Sequence, residues 1–239
     1  MMCESSADYE GLDLEALGGL ENYYGWILET FRPVLKGHGI EFGAGAGTFS
    51  EKLLPHLSGL DLVEPSSVHS AILARRFETD SRVTIIPAKL EAAVSTIPAD
   101  SRDCVILVNV LEHIEDDHQA LGDLYRILKP GGHLLLFVPA MQGLYSEFDR
   151  RVGHFRRYHK ADLKAGIVGA GFHIATLDYT DLLGVLPWWL INVKMGKTEI
   201  DPRMASLYDR VGVPLTRLLE ALLRHPPFGK NLICMARKP

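Results

Sequence analysis

The chain has 239 residues, of which 47% are hydrophobic and 23% charged, and its formal net charge is -5. This length suits one large domain, or a core domain with a small appended region, and the apolar fraction is ample for a sizeable core. The mild negative charge gives no reason to expect nucleic acid as the main partner.

The chain is predicted to be cytoplasmic and to lack both a disulfide framework and a metal site. Its three cysteines, Cys3, Cys104 and Cys234, are far apart and form no C-x-x-C pair. The acidic N-terminus has no apolar core of the kind found in signal peptides. The longest apolar run, Leu182 to Val193, is too short to span a bilayer.

The first predicted element is a helix over residues 14–35, because apolar side chains recur there with the helical period. Residues 1–11 are polar and are expected to fray. Pro33 ends the helix or begins its exit. Residues 1–36 therefore form a predicted N-terminal helical cover.

Strands and helices alternate from there to Pro139. The predicted strands are Gly39–Phe42, Leu60–Glu64, Val83–Ile86, Cys104–Val108 and Leu134–Val138. The predicted helices include Thr48–Leu57, Ser66–Phe77 and one opened by the cap-like pair Asp116 and Gln119. This rhythm predicts an α/β fold with a doubly wound, mostly parallel sheet. Beyond Pro139 follow a charged loop, a helix (162–168), a strand (172–179), an apolar helical region (181–228) and a last strand (232–236).

The most informative segment is residues 40–47, Ile-Glu-Phe-Gly-Ala-Gly-Ala-Gly. A strand runs into three alternate glycines, Gly43, Gly45 and Gly47, and a helix with a capping-box pattern follows. Glycine is needed where φ is positive or where a ligand approaches the backbone, and the helix N-terminus offers free N–H groups. The segment predicts a site for a small polar cofactor. Its glycine spacing differs from the dinucleotide pattern G-x-G-x-x-G.

Other candidate residues also fall at strand ends, where ligands bind in open parallel sheets. Glu64 ends the second strand, and its carboxylate could accept both hydroxyls of a ribose. The 89–91 region, Asn109 and Pro139 occupy corresponding positions. Glu41 either pairs with a ligand's ammonium group or caps neighbouring backbone N–H groups.

Four motifs, taken in order, resemble those of class I S-adenosylmethionine-dependent methyltransferases. They are Ile40–Gly47, Leu62–Ser66, Asp103–Ile114 and Leu128–Gly132. The resemblance is detailed over residues 37–140. It implies a seven-stranded, Rossmann-like sheet with a reversed last strand, and S-adenosyl-L-methionine as the cofactor, released as S-adenosyl-L-homocysteine. Residues 37–239 would then be the catalytic domain, with a lid and a helical region inserted at about 140–230.

The resemblance also implies roles for individual residues. The three glycines would hold the methionine end of the cofactor, Glu64 its ribose and Pro65 its adenine. Asn109 would line the methionine side, and His113 would stand near the methyl donor. The N-terminal helix would cover the cofactor with Tyr23, Tyr24 and Trp26. Where many relatives carry an acid after the third strand, this chain has Lys89, so adenine recognition would rest on backbone around Leu90 or on Glu91.

Methyl transfer depends mainly on alignment, and a base is needed only when the acceptor must lose a proton. His113 and His154 are the candidate bases, since histidine titrates near neutrality, with a structural role equally weighted for each. Arg156 and Arg157 could clamp an anionic group on the acceptor. The candidate aromatic walls of the acceptor site are Tyr145 and Tyr158. The alternative reading of this segment is a solvated charged loop.

These features predict a methyltransferase that acts on a small-molecule acceptor. One type of acceptor that would fit has an apolar body and an anionic group. The alternative is a non-catalytic S-adenosylmethionine-binding partner or sensor. The lysine at position 89, where many relatives carry an acid, favours this alternative. The Asn-Val-Leu-Glu sequence at 109–112 departs from the Asn/Asp-Pro-Pro-Tyr signature of DNA amino-group and protein-glutamine methyltransferases, which weakens that interpretation but leaves oxygen, nitrogen and carbon open as the acceptor atom. Region 181–228 could wall the acceptor pocket, form a homodimer contact, touch a membrane surface or pack in the core.

Overall fold

The computed structural model describes residues 19–239, so the part of the predicted helix 14–35 that precedes Gly19 lies outside the described residues. The strands are β1 His38–Phe42, β2 Gly59–Val63, β3 Val83–Ile86, β4 Arg102–Val108, β5 Leu128–Pro139, β6 His173–Thr180 and β7 Asn231–Arg237. The α-helices are α1 Glu21–Phe31, α2 Thr48–Leu53, α3 Ser67–Arg76, α4 Leu90–Thr96, α5 Asp117–Ile127, α6 Glu147–Arg151, α7 Lys160–Gly169, α8 Val185–Trp188, α9 Pro202–Leu207 and α10 Val213–Leu223.

The seven strands form one sheet in the order β3-β2-β1-β4-β5-β7-β6. Strands β1 to β5 are parallel, and β7 runs antiparallel to both of its neighbours, β5 and β6. This confirms the predicted seven-stranded, mostly parallel sheet with a reversed last strand. The order reverses between β1 and β4, so the loops that follow these two strands diverge and leave a crevice.

Side chains that alternate along the central strands build one apolar core on each face of the sheet. Ile40 and Phe42 of β1 belong to the core under α4, α5 and α7. Ile106 of β4 belongs to the core on the opposite face, with Phe31 of α1 and Leu73 of α3. Because successive side chains of a strand point to opposite faces, a central strand buried on both sides reads as a continuous apolar run.

The boundaries differ from the predicted ones chiefly in the second half of the chain. Strand β5 begins at Leu128, before the predicted start, because Leu128 pairs with Arg102 across an irregularity in the ladder. Region 181–228 breaks into short α-helices joined by two π-helical segments, Trp189–Lys194 and Tyr208–Gly212. Within residues 19–239, no helix combines the length and the apolarity needed to cross a bilayer.

Candidate active site

A cavity of about 1620 Å³ opens at the carboxyl ends of β1, β2, β4 and β5. Helix α1 and the 184–213 region cover it. The predicted site residues that line it are Tyr24, Glu41, Gly43, Gly45, Glu64, Pro65, Leu90, Asn109, His113, His154 and Arg157. Ligand pockets usually measure about 300–1,000 Å³, so this cavity has room for a cofactor and a second molecule. Four predicted site residues lie outside its lining: Gly47, Tyr145, Arg156 and Tyr158.

The glycine turn needs glycine at each of its three positions. Gly43, Gly45 and Gly47 have φ angles of 69°, 54° and 85°, in the left-handed region that other residues avoid. A Cβ at Gly43 would also collide with Val110. Gly47 sits at the N-cap of α2 and packs away from the cavity, so its part in the site is to shape the turn.

Glu64 ties the glycine turn to the loop after β2. Its buried carboxylate accepts hydrogen bonds from the backbone N–H of Gly45 at 2.8 Å and from that of Ser66 at 2.9 Å. His69 Nδ1 lies 3.9 Å from the same carboxylate. A carboxylate has about four acceptor positions, so Glu64 keeps capacity for hydroxyl groups of a ligand.

Glu41 is a second buried acid at this end of the cavity. Burial raises its pKa to about 8; the hydrogen bond from Ser50 Oγ, 2.5 Å long, lowers the pKa and the nearby charge of Glu64 raises it. Tyr24 lies close enough for the charge of Glu41 to add to burial in raising its pKa to about 12. Two neighbouring carboxyl groups at one end of a largely apolar cavity suit a ligand with positive charge and hydroxyl groups.

Asn109 holds a left-handed backbone conformation, which is uncommon for residues other than glycine. Its φ is 54°, directly after β4, and its N–H donates to Phe137 O at 2.8 Å. Asparagine tolerates the left-handed region better than most residues, and such conformations concentrate at functional sites. Lys89, Leu90 and Glu91 also line the cavity, at the start of α4.

His113, His154 and Arg157 of the cavity lining belong to a compact group of titratable side chains that also includes the buried acids Glu112 and Asp149, which lie outside the lining. His154 Nδ1 lies 2.9 Å from Asp149 Oδ1, and His154 Nε2 lies 3.8 Å from Glu112 Oε1. The rings of His113 and His154 meet edge to face, with centroids 4.6 Å apart. A ligand atom from each of Glu112, His113 and His154 falls within 4.8 Å of the others. This spacing could hold a metal ion, for which the sequence analysis predicted no site.

Burial shapes the proton affinities in this group. It lowers the pKa of His113 to about 4, with the charge of His154 acting in the same direction. It raises the pKa of Glu112 to about 7, against the charges of His154 and Arg157. Burial would also raise the pKa of Asp149, but hydrogen bonds from His154 and Arg157 outweigh it and keep that pKa below its ordinary value. Neither oxygen of Glu112 has a hydrogen-bond partner among the described residues.

The two adjacent arginines of the charged loop have different surroundings. Arg157 is buried, donates from Nε to Asp149 Oδ1 at 2.8 Å, and holds its guanidinium 4.6 Å from the centroid of the Trp188 ring. Arg156 lies outside the cavity lining, with Nη1 2.8 Å from Asp117 Oδ1. Of the pair, only Arg157 faces the cavity.

Both candidate aromatic walls are engaged in holding the loop. Tyr158 is buried, and its hydroxyl donates to Asp117 Oδ2 at 2.8 Å. Tyr145 donates to the backbone oxygen of His154 at 2.6 Å. Among the aromatic residues of the N-terminal helix, Tyr23 and Tyr24 line the cavity, whereas Trp26 packs against the core beside it.

The sequence analysis missed several residues that shape the cavity. Asp149 carried a local signal, because it lies three residues after Ser146 in a capping box. Trp188 was included only as part of region 181–228, a possible wall of the acceptor pocket, and Lys230 carried no signal, since its partners are distant in sequence. Lys230 Nζ pairs with Asp181 at 2.9 Å and lies 5.5 Å from the centroid of the Trp188 ring.

Comparison with known proteins finds methyltransferases. A family model described as a methyltransferase domain matches residues 23–177. Phosphoethanolamine N-methyltransferase 2 of Caenorhabditis elegans is 33% identical over 100 residues, which are 41% of this chain and 22% of that protein. The ubiquinone/menaquinone biosynthesis C-methyltransferase of Pasteurella multocida is 29% identical over 110 residues, 43% of this chain and 40% of that protein. The chain spans less than half the length of these curated relatives.

A solved structure shares the fold over the whole chain. Phosphoethanolamine N-methyltransferase 2 of Haemonchus contortus, in complex with S-adenosyl-L-methionine, superposes with a TM-score of 0.67 and 18% identity. The superposition covers 100% of this chain and 61% of that one. At this identity the likeness concerns the fold alone.

Proposed function

The chain belongs to the class I S-adenosylmethionine-dependent methyltransferases, and we propose that it transfers a methyl group to a small-molecule acceptor bound beside the cofactor. The observation that carries this proposal is the cavity of about 1620 Å³, whose lining includes both the glycine turn and the pair His113 and His154. The first part of the lining suits the cofactor and the second suits a reacting partner, in a space large enough for both.

The residues around the glycine turn fit S-adenosyl-L-methionine. The positive charge of the bound cofactor would favour the ionised form of Glu41, which is largely protonated near pH 7 in the cofactor-free protein, and the ribose hydroxyls would take the free acceptor positions of Glu64. The glycine turn, with Pro65, Leu90 and Asn109, would enclose the remainder. Tyr24, on α1, would cover the cofactor from the N-terminal side.

The residues around His154 would align the acceptor and accept its proton. When bound, the cofactor supplies a methyl group that forms a bond with the acceptor's lone pair as its bond to sulfur breaks, so that S-adenosyl-L-homocysteine leaves. If the acceptor atom carries a proton, His154 Nε2 takes it, because Asp149 engages Nδ1 and stabilises the resulting imidazolium. The low pKa of His113 keeps that ring neutral near pH 7.

An acceptor with an apolar body and an anionic group agrees with other side chains of the cavity lining. Phe148, Trp188 and Ile191 supply apolar surface, and Arg157 supplies a buried positive charge. The names of the relatives agree with both properties, since one acts on phosphoethanolamine and another in the synthesis of quinones.

The test is incubation with S-adenosyl-L-methionine labelled in its methyl group and a broad metabolite extract, followed by mass spectrometry of the products. We expect one labelled small molecule, which is absent without the protein and forms more slowly when Glu64→Ala replaces the wild type at a cofactor concentration below the wild-type Kd. Tight cofactor binding without any labelled product would contradict the proposal and favour the binding partner or sensor.

A further inference from the structure

The helix that runs from Pro202 to Leu223, through α9, the π-helical segment and α10, leaves a row of apolar side chains in solvent. The row, here called the apolar ridge, consists of Met204, Leu207, Val211, Leu215, Leu218 and Leu222. Their exposed fractions run from 48% to 76%. Steps of three or four residues place them along one side of the helix. A contiguous exposed row of this kind marks an interaction surface, unlike single scattered apolar residues.

The apolar ridge continues into the mouth of the cavity. Met204, Leu207 and Val211 are both exposed and part of the cavity lining. Exposed Met195, in the preceding part of the chain, also belongs to the cavity lining. The opening of the cavity is therefore bordered by apolar side chains.

Most charged side chains beside the apolar ridge are positive; the exception is exposed Asp201 at its N-terminal end, which accepts from the backbone N–H groups of Arg203 and Met204. Arg203 and Arg210 are exposed and come directly before Met204 and Val211, and exposed Arg224 follows the end of the helix. The two acidic side chains within residues 202–223 are both held by inward partners: Asp209 accepts from the backbone N–H of Tyr23, and Glu220 from that of Leu182. The outward side thus combines apolar surface with positive charge.

We propose that the apolar ridge docks on the surface of an anionic phospholipid bilayer. Its aliphatic side chains would enter the boundary between headgroups and acyl chains, and the arginines would lie beside the lipid phosphates. A second copy of the chain fits less well, because two ridges packed together would bring arginines of the same sign close to one another. Docking does not depend on methyl transfer, but on the proposed function it would let an apolar acceptor pass from the bilayer into the cavity.

The test is cosedimentation with vesicles of phosphatidylcholine alone and of phosphatidylcholine mixed with phosphatidylglycerol. We expect binding to the mixed vesicles that weakens at high salt. The double variant Leu218→Glu with Leu222→Glu, which leaves the cavity lining intact, should bind at least ten-fold more weakly, and Arg210→Ala about five-fold more weakly. Val68→Glu is the matched control, since Val68 is 67% exposed on another face and should bind as the wild type does.

Two further measurements make the result decisive. The melting temperature and S-adenosyl-L-methionine affinity of the double variant should equal those of the wild type, so that lost vesicle binding reports the surface and not unfolding. Absence of binding to anionic vesicles at low salt would overturn the proposal, as would equal binding by the double variant. A dimer in sedimentation velocity that this variant abolishes, without any vesicle binding, would assign the surface to a second copy instead.

Discussion

Asp149 Oδ1 lies 2.9 Å from His154 Nδ1, and this contact fixes which ring nitrogen of His154 is available. Donation from Nδ1 to the carboxylate leaves the lone pair on Nε2, which lies 3.8 Å from Glu112 Oε1. The same carboxylate group receives Arg157 Nε at 2.8 Å and Ser146 Oγ at 2.9 Å. One buried acid therefore orients the candidate base and anchors the loop that carries it.

Replacement of His154 should affect the chemical step more than cofactor binding. For an acceptor that loses a proton, we expect His154→Gln to lower kcat about a hundred-fold and to leave the Kd of S-adenosyl-L-methionine unchanged. His159→Gln is the matched control, because His159 is exposed and belongs to the same loop. Equal kcat values for the two variants would show that His154 is not the base.

Replacement of Glu64 should weaken cofactor binding. Glu64→Ala removes a charged acceptor and releases Gly45 and Ser66, so we expect at least a ten-fold rise in Kd, about 1.4 kcal/mol. Calorimetric titration measures this, and a thermal melt checks that the variant is folded. Glu78→Ala removes an exposed acid and should bind as the wild type does. Wild-type affinity in Glu64→Ala would refute the assignment.

Glu41 should make the stability of the cofactor-free protein depend on pH. Its folded-state pKa, about 8, lies above its ordinary value, so its contribution to stability is complete at low pH and is lost as pH rises toward and through 8. Glu41→Gln should therefore melt close to the wild type at pH 5 and at a higher temperature at pH 9, by roughly 2–4 °C per kcal/mol. An equal difference at both pH values would contradict this reasoning, and Glu78→Gln serves as the control.

The two adjacent arginines should differ in their effect on the acceptor. Once labelling has identified it, we expect Arg157→Lys to raise the acceptor KM about ten-fold without altering cofactor affinity, because lysine cannot reproduce a guanidinium held by Asp149 and Trp188. Arg156→Lys is the control and should leave KM unchanged, since Arg156 lies outside the cavity lining. A rise in KM for Arg156→Lys alone would reverse the assignment.

The residues proposed to hold the cofactor could be chosen from sequence because three of them, Gly43, Glu64 and Asn109, each directly follow a strand. Local pattern locates strand ends, and the topology brings Gly43, Glu64 and Asn109 to one edge of the sheet. The acceptor end could not, because its contacts join distant segments: Glu112 meets His154, and both depend on how the charged loop folds back. Sequence also gave no means of choosing between Arg156 and Arg157, which lie in the same charged run and face different surroundings.

The position of β7 has a consequence for synthesis of the chain. Within residues 19–239, strand β6 pairs only with β7, and β7 also supplies the second partner of β5, yet β7 is the last of the seven strands of this sheet to leave the ribosome. Until it arrives, β6 has two open edges and β5 has one, and open edges invite pairing with other chains. A pause or premature stop before Asn231 would therefore yield an aggregation-prone nascent chain with an incomplete sheet.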